Sequence, residues 1–289
     1  MIEGSIVALI TPFDNENKVD YEELKKLCQY HLDNNTNGVC ILGTTGEAET
    51  LNDDEKIKIV ECVTKEINGK ISIIVGTISN VPDEVIRQSK LFDRFDIDAY
   101  LVITPYYIKT NETGLIKHFS YIADNVSKPI ILYNVPSRCG INISYNALQV
   151  LSLHKNIVGI KESSGDFKYQ SKVSSLISDK FKLYSGDDHT ILASLGLNAS
   201  GYITVIGNAF PKEMSDIYKN YKNNRDLSRK SFYELIPLMD AIYLDVNPIG
   251  IKYLMYIIGF KQAKYRRPLD EASRFIKRQI EEECYKYLI

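Results

Sequence analysis

Eight short apolar runs rich in β-branched residues recur at 6–10, 38–42, 71–75, 99–103, 129–133, 157–160, 181–184 and 201–205, with stretches of helical pattern between them. Strand-length runs that alternate with helix-length ones argue for parallel pairing, because each crossover helix carries the chain back before the next strand begins. Eight such units in about 225 residues fit a closed α/β architecture, a (β/α)8 TIM barrel, better than an open doubly wound sheet. The glycine fingerprint G-x-G-x-x-G that would favour a dinucleotide fold does not occur.

The helical stretches carry their own start signals. Asp20 with Glu23 three residues on resembles a capping box, and Leu24, Leu27, Cys28 and His31 follow on one face. Asn52 with Glu55 repeats the pattern ahead of Ile57, Val60, Val63 and Ile67, and Asn80 and Pro82 open the third helix. Asn111, Ser144, Asp166 and Asp187 stand as caps further on. After Pro211 the strand-like runs cease and helices are predicted at 212–222, 226–244, 248–258 and 271–288. The expected organisation is therefore a catalytic barrel over 1–224 and a C-terminal helical domain over 225–289. That appendix reads equally well as a cap or oligomer contact and as helices packed on the outside of the barrel.

Composition narrows the partners. Thirty-five basic against 37 acidic residues give a formal charge of -2, with no basic surplus for nucleic acid or an anionic membrane. Cys28, Cys40, Cys62, Cys139 and Cys284 are odd in number, widely spaced and without a C-x-x-C pair, which suggests neither a disulfide framework nor a zinc site. No apolar stretch approaches the ~20 residues of a membrane span, and the start has no basic-then-apolar targeting pattern. The expectation is a reduced, cytoplasmic protein.

In a barrel of this kind the active site lies at the carboxyl ends of the strands. Here those ends are polar. The second run ends in Gly43-Thr44-Thr45-Gly46-Glu47, where two glycines flank two hydroxyls and leave backbone N–H groups for a carboxylate or phosphate, although the same string also reads as a plain tight turn. The fourth ends in Thr104-Pro105-Tyr106-Tyr107, the fifth in Tyr133-Asn134-Val135-Pro136-Ser137-Arg138, the sixth in Lys161 and the seventh in Ser185-Gly186-Asp187-Asp188.

Lys161 is the centre of this set. A lysine at the end of a buried strand faces low dielectric, which disfavours its ammonium and makes it a candidate Schiff-base nucleophile towards ketones or keto acids. The bland alternative is a solvated end or a snorkelling stem. Proton movement to and from a carbinolamine calls for a nearby hydroxyl, and Tyr133 and Tyr107 are the candidates, weighed against the packing role of most of the 20 tyrosines. Arg138 offers a planar fork for a carboxylate, or else a surface ion pair. Asp187 and Asp188 read as caps rather than metal ligands, since no third ligand is spaced to complete a site, and none of the four histidines reads as catalytic.

Taken together, G-T-T-G-E at 43–47, T-P-Y-Y at 104–107, Y-N-V-P-S-R at 133–138, G-I-K-E at 159–162, S-G-D-D at 185–188 and N-P-I-x-x-K at 247–252 resemble the dihydrodipicolinate synthase family, within the wider N-acetylneuraminate lyase group. The resemblance covers the whole chain. It implies that Lys161 forms an imine with pyruvate, and that Thr44, Tyr133 and a Tyr107 from a neighbouring subunit relay protons. It further implies that the Thr44 and Thr45 N–H groups and the Thr45 hydroxyl hold the pyruvate carboxylate, that Gly186 and Ile203 line the pocket, and that Arg138 binds the carboxylate of aspartate semialdehyde. The implied product is 4-hydroxy-tetrahydrodipicolinate, on the route to diaminopimelate and lysine, made by a homotetramer of tight dimers without metal or organic cofactor.

Two departures qualify the resemblance. Family members inhibited by lysine carry two histidines where this chain has Asp53 and Lys56, and although Asn80, Glu84 and Tyr106 match that cleft, Glu49 and Lys56 add charge to it; little or no feedback by lysine is expected. Thr204 stands where a serine is commoner. The nearest rival is a sibling aldolase that cleaves N-acetylneuraminate or a 2-keto-3-deoxy sugar acid. The Ser137-Arg138 pair argues against it, because sugar-cleaving relatives usually carry a small or apolar residue there. An inactive binding protein would lack the lysine, tyrosine or threonine, and a metal- or phosphate-dependent barrel enzyme would need a ligand cluster or a glycine-rich loop after the last strands.

Overall fold

The computed structural model describes residues 2–261 and 263–288. The β-branched runs form β1 (Gly4–Ala8), β2 (Gly38–Ile41), β3 (Ser72–Thr77), β4 (Ala99–Ile103), β5 (Ile130–Asn134), β6 (Ile157–Glu162), β7 (Lys182–Ser185) and β8 (Gly201–Thr204). They close in that order into one parallel barrel. Nearly every strand residue is buried, since one face fills the barrel and the other meets the surrounding helices, which is why these runs are continuously apolar rather than alternating.

Strand β1 starts two residues earlier than the apolar run, at Gly4, and the reason is the closing seam. A Cβ on Gly201 would lie 2.2 Å from the Gly4 carbonyl oxygen, and Gly4 itself holds φ +95°. Strand β6 runs past its apolar residues through Lys161 and Glu162, which pair with Tyr133 and Asn134 on one side and Tyr184 and Ser185 on the other. Lys161 thus sits in the ladder rather than beyond it.

The helix starts follow the capping signals with two differences. Asn52 and Glu55 make the full reciprocal box, whereas at Asp20 only half forms: Asp20 accepts from the Glu23 N–H, but the Glu23 carboxylate accepts from the backbone of Lys261 instead. The third helix, Pro82–Phe92, begins on its proline, while the Asn80 side chain accepts from the Tyr106 N–H at 2.7 Å and so ties the loops after β3 and β4 together.

Beyond β8 come the helices Pro211–Asn223, Arg225–Ile242, Ile249–Ile257 and Arg274–Leu288. Asn224 caps the second of these, and Phe232, Leu235, Leu238, Met239 and Ile242 form its buried stripe at helical spacing. The turn that follows it, 243–248, passes back over the carboxyl ends of the strands before the next helix begins. No helix among the described residues is long and apolar enough to cross a membrane.

Candidate functional site

A cavity of about 680 Å³ opens at the carboxyl ends of the strands. Its wall is assembled from Thr45 after β2, Tyr133, Val135 and Arg138 at β5, Lys161 in β6, Gly186, Asp187 and His189 after β7, Val205 after β8, and the turn carrying Tyr243 and Asn247.

Lys161 is 6 % exposed and its ammonium nitrogen lies 4.2 Å from the ring centroid of Tyr133, the residue across the ladder. The next residue, Glu162, is turned to the other face by strand alternation, where it accepts from Asn134 Nδ2 at 2.6 Å and from the Ser164 N–H at 2.5 Å. Burial raises its pKa. Asn134 in turn accepts from the Ile143 N–H, so the carboxylate beside the lysine is fixed by the β5 loop. Gly186 gives the lysine stem its path: a Cβ there would lie 2.7 Å from Lys161 Cε, 2.8 Å from Cγ and 2.0 Å from Ser163 Oγ.

The Gly43–Gly46 turn is flanked by two non-glycine residues in the left-handed region, Leu42 at φ +53° and Glu47 at φ +53°. Each such residue costs roughly 1–2 kcal/mol unless its surroundings hold it. Gly76 makes room at the first, since a Cβ there would come within 2.2 Å of the Leu42 carbonyl oxygen. At the second, the Glu47 carboxylate meets Lys252 at 2.5 Å, with both side chains almost fully buried and the ammonium 4.3 Å from the centroid of the Phe13 ring. Burial lowers the pKa of Lys252 against the opposing pull of Glu47. Within the turn, Gly46 and Ala48 donate to the Gly43 carbonyl and Glu47 to that of Thr44, so the N–H groups of Thr44 and Thr45 are not consumed by these bonds. Asn247 Nδ2 donates to Thr45 Oγ1 at 2.9 Å, which leaves the hydroxyl hydrogen to point elsewhere.

Arg138 rides the short helix Pro136–Cys139, ended by Gly140 at φ +69°, and donates to the Asn247 carbonyl oxygen at 2.9 Å from an exposed position. Thr44 is half-buried and does not border the cavity. Ile203 is 1 % exposed in β8 and does not border the cavity; Val205, two residues on, does. Tyr107 does not reach the cavity of its own chain. It is 92 % exposed at φ +66° beside the exposed Ile108.

Asp188 is buried and accepts from the N–H groups of Val205 and Ile206 and from the Tyr243 hydroxyl, so it clamps β7 to β8. Among the described residues no cluster of three or more His, Cys, Asp or Glu could hold a metal. His189, passed over in the sequence, lies on the cavity wall with Nε2 2.8 Å from Asp240 and Nδ1 3.7 Å from Asp187. Those carboxylates, Asp187 first, push its pKa up to about 9. The sequence offered no signal for Asp240, which arrives from a helix 51 residues away. Outside the cavity, Arg87 forks onto Asp53 at 2.7 Å and Glu84 at 2.7 Å, beside the buried Lys56.

Comparison with known proteins gives consistent results. The profile of the dihydrodipicolinate synthetase family matches residues 1–286. A 4-hydroxy-tetrahydrodipicolinate synthase of Thermodesulfovibrio yellowstonii is 40% identical over 283 residues, covering 98% of this chain and 97% of that one. The crystal structure of dihydrodipicolinate synthase from Thermotoga maritima superposes with a TM-score of 0.96 at 33% identity, covering 99% of each chain. That of the chloride-inhibited dihydrodipicolinate synthase from Acinetobacter baumannii, complexed with pyruvate, gives 0.97 at 33% identity over the full length of both.

Proposed function

The chain belongs to the dihydrodipicolinate synthetase family, and from this we infer that it is a 4-hydroxy-tetrahydrodipicolinate synthase, a Schiff-base-forming lyase that condenses pyruvate with L-aspartate 4-semialdehyde on the way to diaminopimelate and lysine. The observation that carries the reading to particular residues is Lys161, a buried amine at the floor of a cavity with the Tyr133 ring alongside. In this reading its neutral form attacks C2 of pyruvate, the carbinolamine loses water, and the resulting iminium gives up a proton from C3. The enamine carbon then adds to the aldehyde, and the substrate's own amine attacks the imine carbon, closing the ring and releasing Lys161.

The Thr44 and Thr45 N–H groups and the Thr45 hydroxyl receive the pyruvate carboxylate, a role supported by their freedom within the turn. Tyr133 and Thr44 relay protons, joined by Tyr107 from a second copy of the chain; its exposure and its distance from its own cavity support delivery across a dimer, with two such dimers forming a tetramer. Arg138 exchanges the Asn247 carbonyl for the carboxylate of the semialdehyde. Gly186 clears the lysine's path and Ile203 backs the wall behind Val205. The boundary at 224/225 divides barrel from helical appendix, and the site draws on both. A cytoplasmic location suits the five free thiols.

The test is intact mass and peptide mapping after incubation with pyruvate and borohydride, for wild type and Lys161→Ala, with aspartate semialdehyde in a parallel tube. A pyruvate adduct on the Lys161 peptide, discharged by the semialdehyde before reduction, is the expected result. Discharge only by sugar-type aldehydes would move the reading to a sibling aldolase, and no adduct would overturn the imine.

A further inference from the structure

We propose that Glu47 and Lys252, which touch no substrate, are positioning residues for pyruvate: with Asn247 they grip the carboxylate-receiving turn from behind and set the direction of its N–H groups. The proposal rests on the function above and extends it to a buried ion pair outside the cavity, acting with Asn247 on its wall.

The grip has two points supplied by one stretch of chain. Asn247 holds the Thr45 hydroxyl oxygen at 2.9 Å, and five residues later Lys252 holds the Glu47 carboxylate at 2.5 Å. The second Glu47 oxygen accepts from the Arg266 N–H at 3.2 Å, so neither oxygen is free to turn. Lys252 cannot relax away, because its ammonium is packed on the Phe13 ring.

Both components are costly as plain structure. A left-handed backbone position is most easily filled by glycine, yet this one carries a glutamate. A buried ion pair is commonly no more stable than an apolar pair of the same volume. What glycine or an apolar pair would not supply is a side chain that fixes the turn's rotation relative to the cavity. A nest of N–H groups binds an anion well only when held close to its productive geometry.

The experiment measures melting temperature and the KM of each substrate for wild type, Glu47→Gln, Lys252→Met, the double variant, and Asn247→Ala. The single pair variants are expected to lose stability through a stranded buried group, and the double variant to regain most of it. The pyruvate KM is expected to stay at least tenfold raised in all of them, with the semialdehyde KM at saturating pyruvate within twofold of wild type. A double variant whose pyruvate KM recovers together with its melting temperature would reduce the pair to a stability element and overturn the proposal. So would a parallel rise in both KM values, or an unchanged pyruvate KM in Asn247→Ala, which keeps the pair intact and serves if the pair variants do not fold. Wild type that fails to trap pyruvate would refute the proposed function itself, a result separate from any of these.

Discussion

Replacing Gly186 by alanine tests where the Lys161 stem runs. The backbone at Gly186 lies outside the left-handed region, so a methyl group adds no torsional strain and acts by bulk alone. It would meet Lys161 Cε at 2.7 Å and Cγ at 2.8 Å, against an ordinary carbon–carbon contact of about 3.5–4.0 Å. The stem must therefore give way by roughly 1 Å, and a displacement of that size at a reacting centre costs on the order of 100-fold. At 1.36 kcal/mol per tenfold that is about 2.7 kcal/mol of lost transition-state stabilisation. The assay is the rate of borohydride-trapped adduct formation at fixed pyruvate, alongside steady-state turnover. The shortest contact, 2.0 Å to Ser163 Oγ, involves a side chain that can rotate, so Gly186→Ala with Ser163→Ala separates the two clashes. The double variant is expected to remain at least about tenfold slow. Adduct formation at the wild-type rate in Gly186→Ala, or full recovery in the double variant, would refute the reasoning.

Three further outcomes are expected. His31 is fully buried, and burial pulls its pKa down to about 3 from 6.5; the unfolded chain takes up that proton below pH 6.5 while the native one does not, so stability falls as pH drops through that window. Between pH 6.5 and 4.5 wild type should lose about 2–3 kcal/mol more than His31→Gln in urea unfolding, and equal losses would show that His31 is protonated in the fold. In the cleft near Tyr106, Arg87 already occupies both Asp53 and Glu84, and Lys56 stands beside them, so free lysine should inhibit with a constant above roughly 1 mM; submillimolar inhibition in the steady-state assay would contradict this. If Tyr107 serves a partner's cavity, co-refolding Lys161→Ala with Tyr107→Phe should yield mixed dimers with one intact site, up to about a quarter of wild-type activity, and no gain over the separate variants would place Tyr107 elsewhere.

Most of the barrel could be read from the chain, because a strand buried on both faces must be a short, continuously apolar run. The site was legible wherever it consists of strand ends: Lys161, Tyr133, Thr45, Arg138 and Gly186 all reach one cavity. What escaped depends on contacts between distant segments. Asn80 looked like a helix cap and instead serves the loop after β4. Glu47 gave no sign of a left-handed backbone, for which glycine is the usual marker, and nothing near it in sequence points to Lys252. His189 looked solitary because its partner Asp240 is carried by another helix. Val205 rather than Ile203 meets the cavity because the wall continues past the last ladder bond of β8.

The turn at 243–248 has a consequence for the order in which this protein becomes an enzyme on the ribosome. Strands β1 and β8 can pair only once residue 204 has emerged, by which point the chain carrying Lys161 and Tyr133 has been made. Asn247 and Lys252, whose partners lie 202 and 205 residues upstream, appear only some forty residues later. A chain ending after the helix Pro211–Asn223 would therefore lack both of the contacts by which the C-terminal segment holds the Gly43–Glu47 turn.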